Sequence, residues 1–255
     1  MTTLARDTAF VDYLLRLGDN VLVLGQRLSQ WTGRAPIVEE DLALTNVALD
    51  CIGQARMWLA YAGEAEGRGR DEDRLAYFRD SREFRNVLLV ERPNGDYGAT
   101  LVRQFLFDTW HFYVLRALCA SSDERLAGIA QKAVREVAYH VRRSGDWVVR
   151  LGDGTDVSHA KMQAALDDLW PYTGELFRSD ETDVELTRRG VGIALEAVRE
   201  PWLEHIGGVL ADATLSVPPD GWMQSGGKSG RHSEHLGYLL AEMQSVRRSV
   251  PGERW

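Results

Sequence analysis

Five side chains on three apolar stretches are of the types that bind metal in di-iron carboxylate proteins, or are chemically similar to those types. They are Asp50, Gln54, Asp108, Glu136 and His140. A di-iron bundle takes one Glu from each of two helices and a Glu-x-x-His pair from each of the other two. Residues four apart share a helix face, so Asp50 with Gln54, and Glu136 with His140, can project to one side. The spacing predicts a polar cluster between helices, at positions where a di-iron protein holds its metals.

The ligand set is incomplete for two irons. Both pairs are spaced by four instead of three, Gln54 stands where a histidine is needed, and the first helix offers only Asp19 or Gln26. We therefore favour a buried polar network without metal, with Arg103 or Arg143 as its counter-charge. A working di-iron site and a single metal site are the alternatives.

Asp50 is the most informative member of this set. It is the only charged residue between Asp41 and Arg56, in a stretch that is predicted to be helical. A helix that is apolar on nearly every side is expected to be buried. A buried carboxylate must be paired, hydrogen-bonded, protonated or bound to metal, so Asp50 is expected to have a partner on a neighbouring helix.

Helical periodicity dominates the chain, and no alternating run rich in Val, Ile or Thr predicts a strand. The predicted helices are about 4–33, 38–63, 96–120, 123–152, 155–177, 191–214 and 232–249. The long connection 63–95 after two antiparallel helices is what a ferritin-like bundle requires. We expect an all-α, ferritin-like helical bundle in a single domain spanning 1–255. Its core would be about 4–152, with additional C-terminal helices at about 155–249.

Composition excludes several functional classes. A net charge of −8 without a basic stripe argues against nucleic-acid binding. No apolar segment approaches the roughly 18 residues that span a bilayer, and the N-terminal residues do not resemble a secretory signal. Cys51 and Cys119 lie in apolar helical stretches, which predicts buried thiols in a reducing compartment. We expect a cytoplasmic protein.

The segment GWMQSGGKSGRH at 221–232 is rich in glycine and carries cationic side chains. It is not a phosphate-binding loop, because Trp222 occupies the position of the first glycine and no strand precedes it. We predict that Trp222, Lys228, Arg231 and His232 contact a partner or an anion at the start of the last helix. The alternative is a disordered surface loop.

Four long strings resemble one known family, the C subunits of the ring 1,2-phenylacetyl-CoA epoxidases, which are bacterial multicomponent monooxygenases. The strings are LGDNVLVLGQRLSQWTG at 17–33, EEDLALTNVALDCIGQAR at 39–56, REVAYHVRRSGDWVVRLGDGT at 135–155 and HLGYLLAEMQ at 235–244. The resemblance runs through nearly the whole chain. It implies a ferritin-like fold and a place in a multi-subunit oxygenase.

The resemblance also implies a division of labour. In such complexes a related A subunit holds the di-iron centre and epoxidises the ring of phenylacetyl-CoA, with electrons from a separate reductase subunit. The C subunit is a structural partner of the A subunit and of the other epoxidase subunits, without a metal or catalytic residues of its own. The alternatives are an independently active ferritin-like oxygenase or oxidase, and a helical interaction protein unrelated to oxygen chemistry.

Overall fold

The computed structural model describes residues 7–250, which form helices and no strand. The α-helices of this part of the chain are α1 (Thr8–Ser29), α2 (Val38–Glu66), α3 (Glu72–Tyr77), α4 (Leu88–Glu91), α5 (Tyr97–Leu118), α6 (Glu124–Gly152), α7 (Asp156–Leu169), α8 (Glu181–Arg188), α9 (Arg199–Asp212) and α10 (Glu234–Ser249). The all-α prediction is confirmed. None of these helices combines the length and hydropathy needed to cross a membrane.

The chain divides into two compact units. The first runs to Pro93 and resumes at Gly226, and the second spans Asn94–Ser225. The first unit therefore contains α1 to α4 and α10, and the second contains α5 to α9. The single-domain assignment stays a prediction. The last helix belongs to the first unit although it follows the second in sequence.

The first unit is built on α1 and α2, which pack along each other. The connection 30–37 is short, so the two helices run antiparallel. α1 begins where the Asp7 carboxylate accepts a hydrogen bond from the backbone N–H of Phe10, at 3.0 Å. Leu24, Leu44 and Trp58 are fully buried and form part of the core. α10 packs against α1, α3 and α4.

The second unit is built on the antiparallel pair α5 and α6, which α7 and α9 cover. Two of these helices are capped at the N-terminus by a side chain. The Asp123 carboxylate accepts a hydrogen bond from the N–H of Leu126 at 2.8 Å, and the Thr155 hydroxyl accepts one from the N–H of Ser158 at 3.2 Å. A helix pair in each unit is consistent with the ferritin-like class, whose bundle contains two such pairs.

Two helix boundaries differ from the prediction. The helix expected at 191–214 begins only at Arg199, after a 3₁₀ turn, because Pro201 is tolerated in a first turn but not in a helix interior. The helix expected at 155–177 ends at Leu169, two residues before Pro171, which has no N–H to continue the helical hydrogen bonds. α8 was not predicted, although Asp180 caps it. The predicted start of the first helix, at residue 4, lies outside the described residues.

The prediction that α2 is buried on nearly every side is wrong. Val38 is 72% exposed, Leu42 61% and Leu49 60%. These three residues, called the α2 stripe below, lie within about 40° of one another around the helix axis, at 100° per residue. A run without charged residues predicts an apolar helix face. It does not predict whether the same chain or another one covers that face.

Candidate functional site

The Asp108 carboxylate lies at the centre of a buried polar cluster between α5 and α6. Gln104 Nε2 donates a hydrogen bond to Asp108 Oδ1 at 2.6 Å, and Ser144 Oγ donates one to Oδ2 at 3.3 Å. Burial raises the pKa of Asp108 to about 6, although the nearby His140, the two hydrogen bonds and Arg143 oppose this shift. The structure therefore brings Asp108 and His140 together, and it supports Arg143 as a counter-charge.

His111 is a member of this cluster that the sequence reasoning missed. It is buried on α5, three residues after Asp108, and its ring packs against Phe107 and Trp110. Burial, together with the neighbouring His140, lowers the pKa of His111 to about 3. The signal was present in the sequence, since Asp108 and His111 have the i, i+3 spacing of an acid-x-x-His pair.

The other predicted positions are less enclosed. Glu136 is half-buried on α6, one turn before the buried His140. On α2 in the first unit, Gln54 is buried but Asp50 is only half-buried. The premise that Asp50 is a fully buried carboxylate is therefore wrong, because the face of α2 beside it is exposed.

The donors do not fit a di-iron centre. Both oxygens of Asp108 accept hydrogen bonds from protein groups, and Gln54 supplies a neutral amide. Among residues 7–250, no group of three or more His, Cys, Asp or Glu side chains is placed to hold a metal ion. Iron in such bundles needs several carboxylates together with histidines, so a polar network without metal stays the prediction for this cluster.

Asp19, a candidate ligand on α1, is used in another way. It is fully buried and forms an ion pair with the buried Arg79, and it also accepts the backbone N–H of Arg85 at 2.8 Å. The Arg79 guanidinium lies 4.3 Å from the centre of the Phe84 ring. Asp19 therefore fastens the connection between α3 and α4 to α1, because a buried charge without its partner would be costly.

A second buried ion pair fastens α10 to the same unit. The Nδ1 of His232 lies 2.8 Å from Glu91 Oε2, and its Nε2 lies 3.0 Å from the carbonyl oxygen of Phe84. Glu91 Oε1 also accepts the backbone N–H of Ser233 at 2.7 Å. Burial lowers the pKa of His232, but the hydrogen bond and charge of Glu91 outweigh it and raise the pKa above its ordinary value. Both ring nitrogens face acceptors, so the imidazolium form fits this site.

Two glycines of the 221–232 segment, Gly227 and Gly230, are required by close approach of the backbone. A Cβ at Gly227 would lie 2.1 Å from the carbonyl oxygen of Asn86, and one at Gly230 would lie 2.3 Å from that of Arg82. Gly230 also has a positive φ of 75°, which favours glycine. These residues let two backbone segments approach closely, so the part of the loop after Gly226 is held against the connection 82–88.

The predicted contact residues of this segment are not equivalent. Trp222 is 76% exposed, Lys228 is half-buried in a 3₁₀ turn, and His232 forms an ion pair with Glu91. Arg231 is exposed and lines an open basin of about 630 Å³ together with Arg82. Contact of these side chains with a partner or an anion stays a prediction.

The chain is similar to known proteins along its whole length. The family described as "Phenylacetic acid catabolic protein" matches residues 1–255. One curated protein, the C subunit of 1,2-phenylacetyl-CoA epoxidase from Escherichia coli (strain K12), is 49% identical over 243 residues. The match covers 95% of this chain and 98% of that protein.

Proposed function

Because the chain belongs to the phenylacetic acid catabolic protein family, we propose that it is a non-catalytic structural subunit of a phenylacetyl-CoA epoxidase complex. It pairs with the di-iron A subunit of that complex, which carries out the epoxidation with electrons from a separate reductase subunit. The name of the Escherichia coli relative supports the assignment as a C subunit.

The α2 stripe is the observation that carries the pairing. Val38, Leu42 and Leu49 are all at least 60% exposed, on a helix that has one charged residue between Asp41 and Arg56. That interval is about 20 Å long at 1.5 Å per residue. Exposed apolar side chains that share one helix face are a feature of protein interaction sites. A permanent partner would cover it and bury more than about 2,000 Å² in total.

The donor set supports a non-catalytic role. The Asp108 carboxylate is held by Gln104 and Ser144, and Asp19 is held by Arg79. These two acids thus hold together the helices of their own units. The chemistry of the complex would then belong to the A subunit, and this chain would support that subunit by contact.

The test is a Leu42→Glu/Leu49→Glu double variant mixed with the purified A subunit. Charges buried without partners at an interface are costly, so we expect affinity to fall by at least about 100-fold. Phenylacetyl-CoA-dependent oxygen consumption should fall in proportion to the lost complex. Both measurements use the full-length chain, because the wild-type side chains are exposed and their replacement should leave the fold intact.

Val184→Glu is the matched control, since Val184 is 61% exposed on α8 in the other unit. Its affinity for the A subunit should equal that of the wild type, and the thermal midpoints of all variants should agree within a few degrees. Unchanged affinity of the double variant would overturn the assignment of the α2 stripe. Failure of the wild-type chain to bind the A subunit at micromolar concentration would overturn the proposed function itself.

A further inference from the structure

An open basin of the first unit lies between the 3₁₀ turn Ser81–Glu83 and the residues that precede and begin α10. Its volume is about 630 Å³, which is within the range of small-molecule sites. Serines, glycines and charged residues line it, and none of the described residues in the lining has a large apolar side chain. The basin therefore fits a polar ligand.

Two arginines line this basin without a partner of their own. Arg82 and Arg231 are exposed, and the side chain of neither makes a hydrogen bond, an ion pair or a ring contact with any of residues 7–250. The nearby Arg85 is different, because its guanidinium donates to Asp12 Oδ1 at 2.9 Å and to the carbonyl oxygen of Phe84 at 2.9 Å. In a chain with a net charge of −8, two guanidiniums without a carboxylate in one basin form a local site for an anion.

The backbone that carries each arginine is fixed. A capping box closes the 3₁₀ turn that contains Arg82, and the N–H of Arg231 donates to the carbonyl oxygen of Gly226 at 3.0 Å. The two segments touch, since a Cβ at Gly230 would lie 2.3 Å from the carbonyl oxygen of Arg82. The fold thus brings two like charges into one basin, and an anion that binds there would relieve their repulsion.

The donors of the basin favour a phosphate group over a single carboxylate. One guanidinium fork is enough to pair with both oxygens of a carboxylate. Arg82 and Arg231 provide two forks, and the Ser81 hydroxyl, which has no partner among the described residues, provides a further donor. A phosphate group presents three strong acceptor oxygens to such a set. Glu234 also lines the basin, and its charge would limit the affinity for any anion.

We propose that this basin binds a small molecule that carries a phosphate or diphosphate group. The guanidiniums of Arg82 and Arg231 donate to the phosphate oxygens, with the Ser81 hydroxyl as a further donor. His232 lines the basin as well, but both of its ring nitrogens already face protein acceptors. Of the contact residues predicted in the 221–232 segment, Arg231 is therefore the one that binds the ligand directly. The site is separate from the α2 stripe, so it does not rest on the proposed function.

The experiment is a calorimetric titration of the purified full-length chain with pyrophosphate, inorganic phosphate and acetate at constant ionic strength. Pyrophosphate should bind with a Kd below about 1 mM, and acetate should bind at least about tenfold more weakly. Arg82→Gln and Arg231→Gln should each weaken the binding of pyrophosphate about tenfold, because each removes charge-assisted hydrogen bonds. Glu234→Gln should strengthen it about twofold, because it removes a repelling charge.

Arg34→Gln is the matched control. Arg34 is an exposed arginine of the same unit without a partner among the described residues, and it does not line the basin. Its replacement changes the net charge equally, so an affinity for pyrophosphate equal to that of the wild type shows that the effect is local. The thermal midpoints of the three arginine variants should agree within a few degrees, because all three wild-type side chains are exposed.

Four results would each overturn the proposal. They are no binding of pyrophosphate or phosphate at millimolar concentration, equal affinity for acetate, unchanged binding in Arg82→Gln or Arg231→Gln, and equal weakening in Arg34→Gln. Loss of pyrophosphate binding on addition of the A subunit would also overturn it, since the arginines would then pair with carboxylates of a protein partner. Binding of the A subunit itself is measured separately through the α2 stripe, so failure of one proposal leaves the other intact.

Discussion

The carboxyl group of Asp108 is fully buried and has two hydrogen-bond donors, Gln104 and Ser144. Burial raises its pKa to about 6, above the ordinary value for an aspartate. The folded state therefore binds the proton more tightly than the unfolded state does. The free energy of unfolding should fall as the pH rises from about 4 to about 6 and then stay level with respect to this group.

Asp108→Asn should increase stability at neutral pH. The amide keeps the shape, accepts from Gln104 through Oδ1 and can donate to Ser144 Oγ, but it has no charge to bury. We expect the free energy of unfolding to rise by about 1–3 kcal/mol at pH 7.5, and the gain to shrink towards pH 4.5. Urea unfolding at several pH values measures this. A variant that is less stable than the wild type at pH 7.5 would show that the cluster requires the negative charge.

Single residues were predicted unevenly from the sequence. Asp108 and His140 were found because a charged or polar residue inside an apolar helix is conspicuous. His111 was missed because aromatic neighbours made it resemble a core position. Arg79 and Glu91 were missed for a different reason: they lie in the 63–95 connection, and their partners are 60 and 141 residues away. Local patterns carry no information about such distant pairs.

At the scale of elements, the His232–Glu91 pair fixes α10 to α4. The pKa of His232 is raised in the folded state, so its contribution to stability is complete below the unfolded value of about 6.5. That contribution is lost as the pH rises through the folded pKa. Glu91→Gln should therefore lower stability at pH 6 by about 3–5 kcal/mol, and it should remove the decline that the wild type shows in alkaline solution.

His235→Asn provides the control for this pair. His235 is half-buried at the start of α10, and its backbone oxygen, which the substitution leaves in place, accepts a hydrogen bond from Arg27 at 3.1 Å. Its pH profile of unfolding should match that of the wild type. Hydrogen exchange should show that α10 opens first in Glu91→Gln. If the alkaline decline persists in Glu91→Gln, His232 is not the group that titrates.

The positions of the helices were predicted better than the burial of their faces. Apolar periodicity and caps such as Asp123 and Thr155 are features of the local sequence. The long helices lie where the sequence has these features. The 3.6-residue pattern of α2 was also recognised, but what covers it could not be inferred. Leu42 and Leu49 would give the same sequence pattern in a helix that is buried within one chain and in a helix that packs against another chain. What packs against a helix face depends on tertiary and quaternary structure.

At the scale of the whole molecule, the last prediction concerns iron. Two acids at candidate ligand positions already have protein partners: Asp108 accepts from Gln104 and Ser144, and Asp19 pairs with Arg79. A hard cation would have to displace these partners without gaining a histidine-rich set. We expect the purified chain, loaded anaerobically with ferrous iron and desalted, to retain less than about 0.1 iron per chain. The A subunit, treated in the same way, is the positive control and should retain about two, as a di-iron site requires. Mixing the two should leave the total unchanged, because the iron would stay with the A subunit. Two tightly held irons in this chain alone would contradict both the metal-free assignment and the structural role built on it.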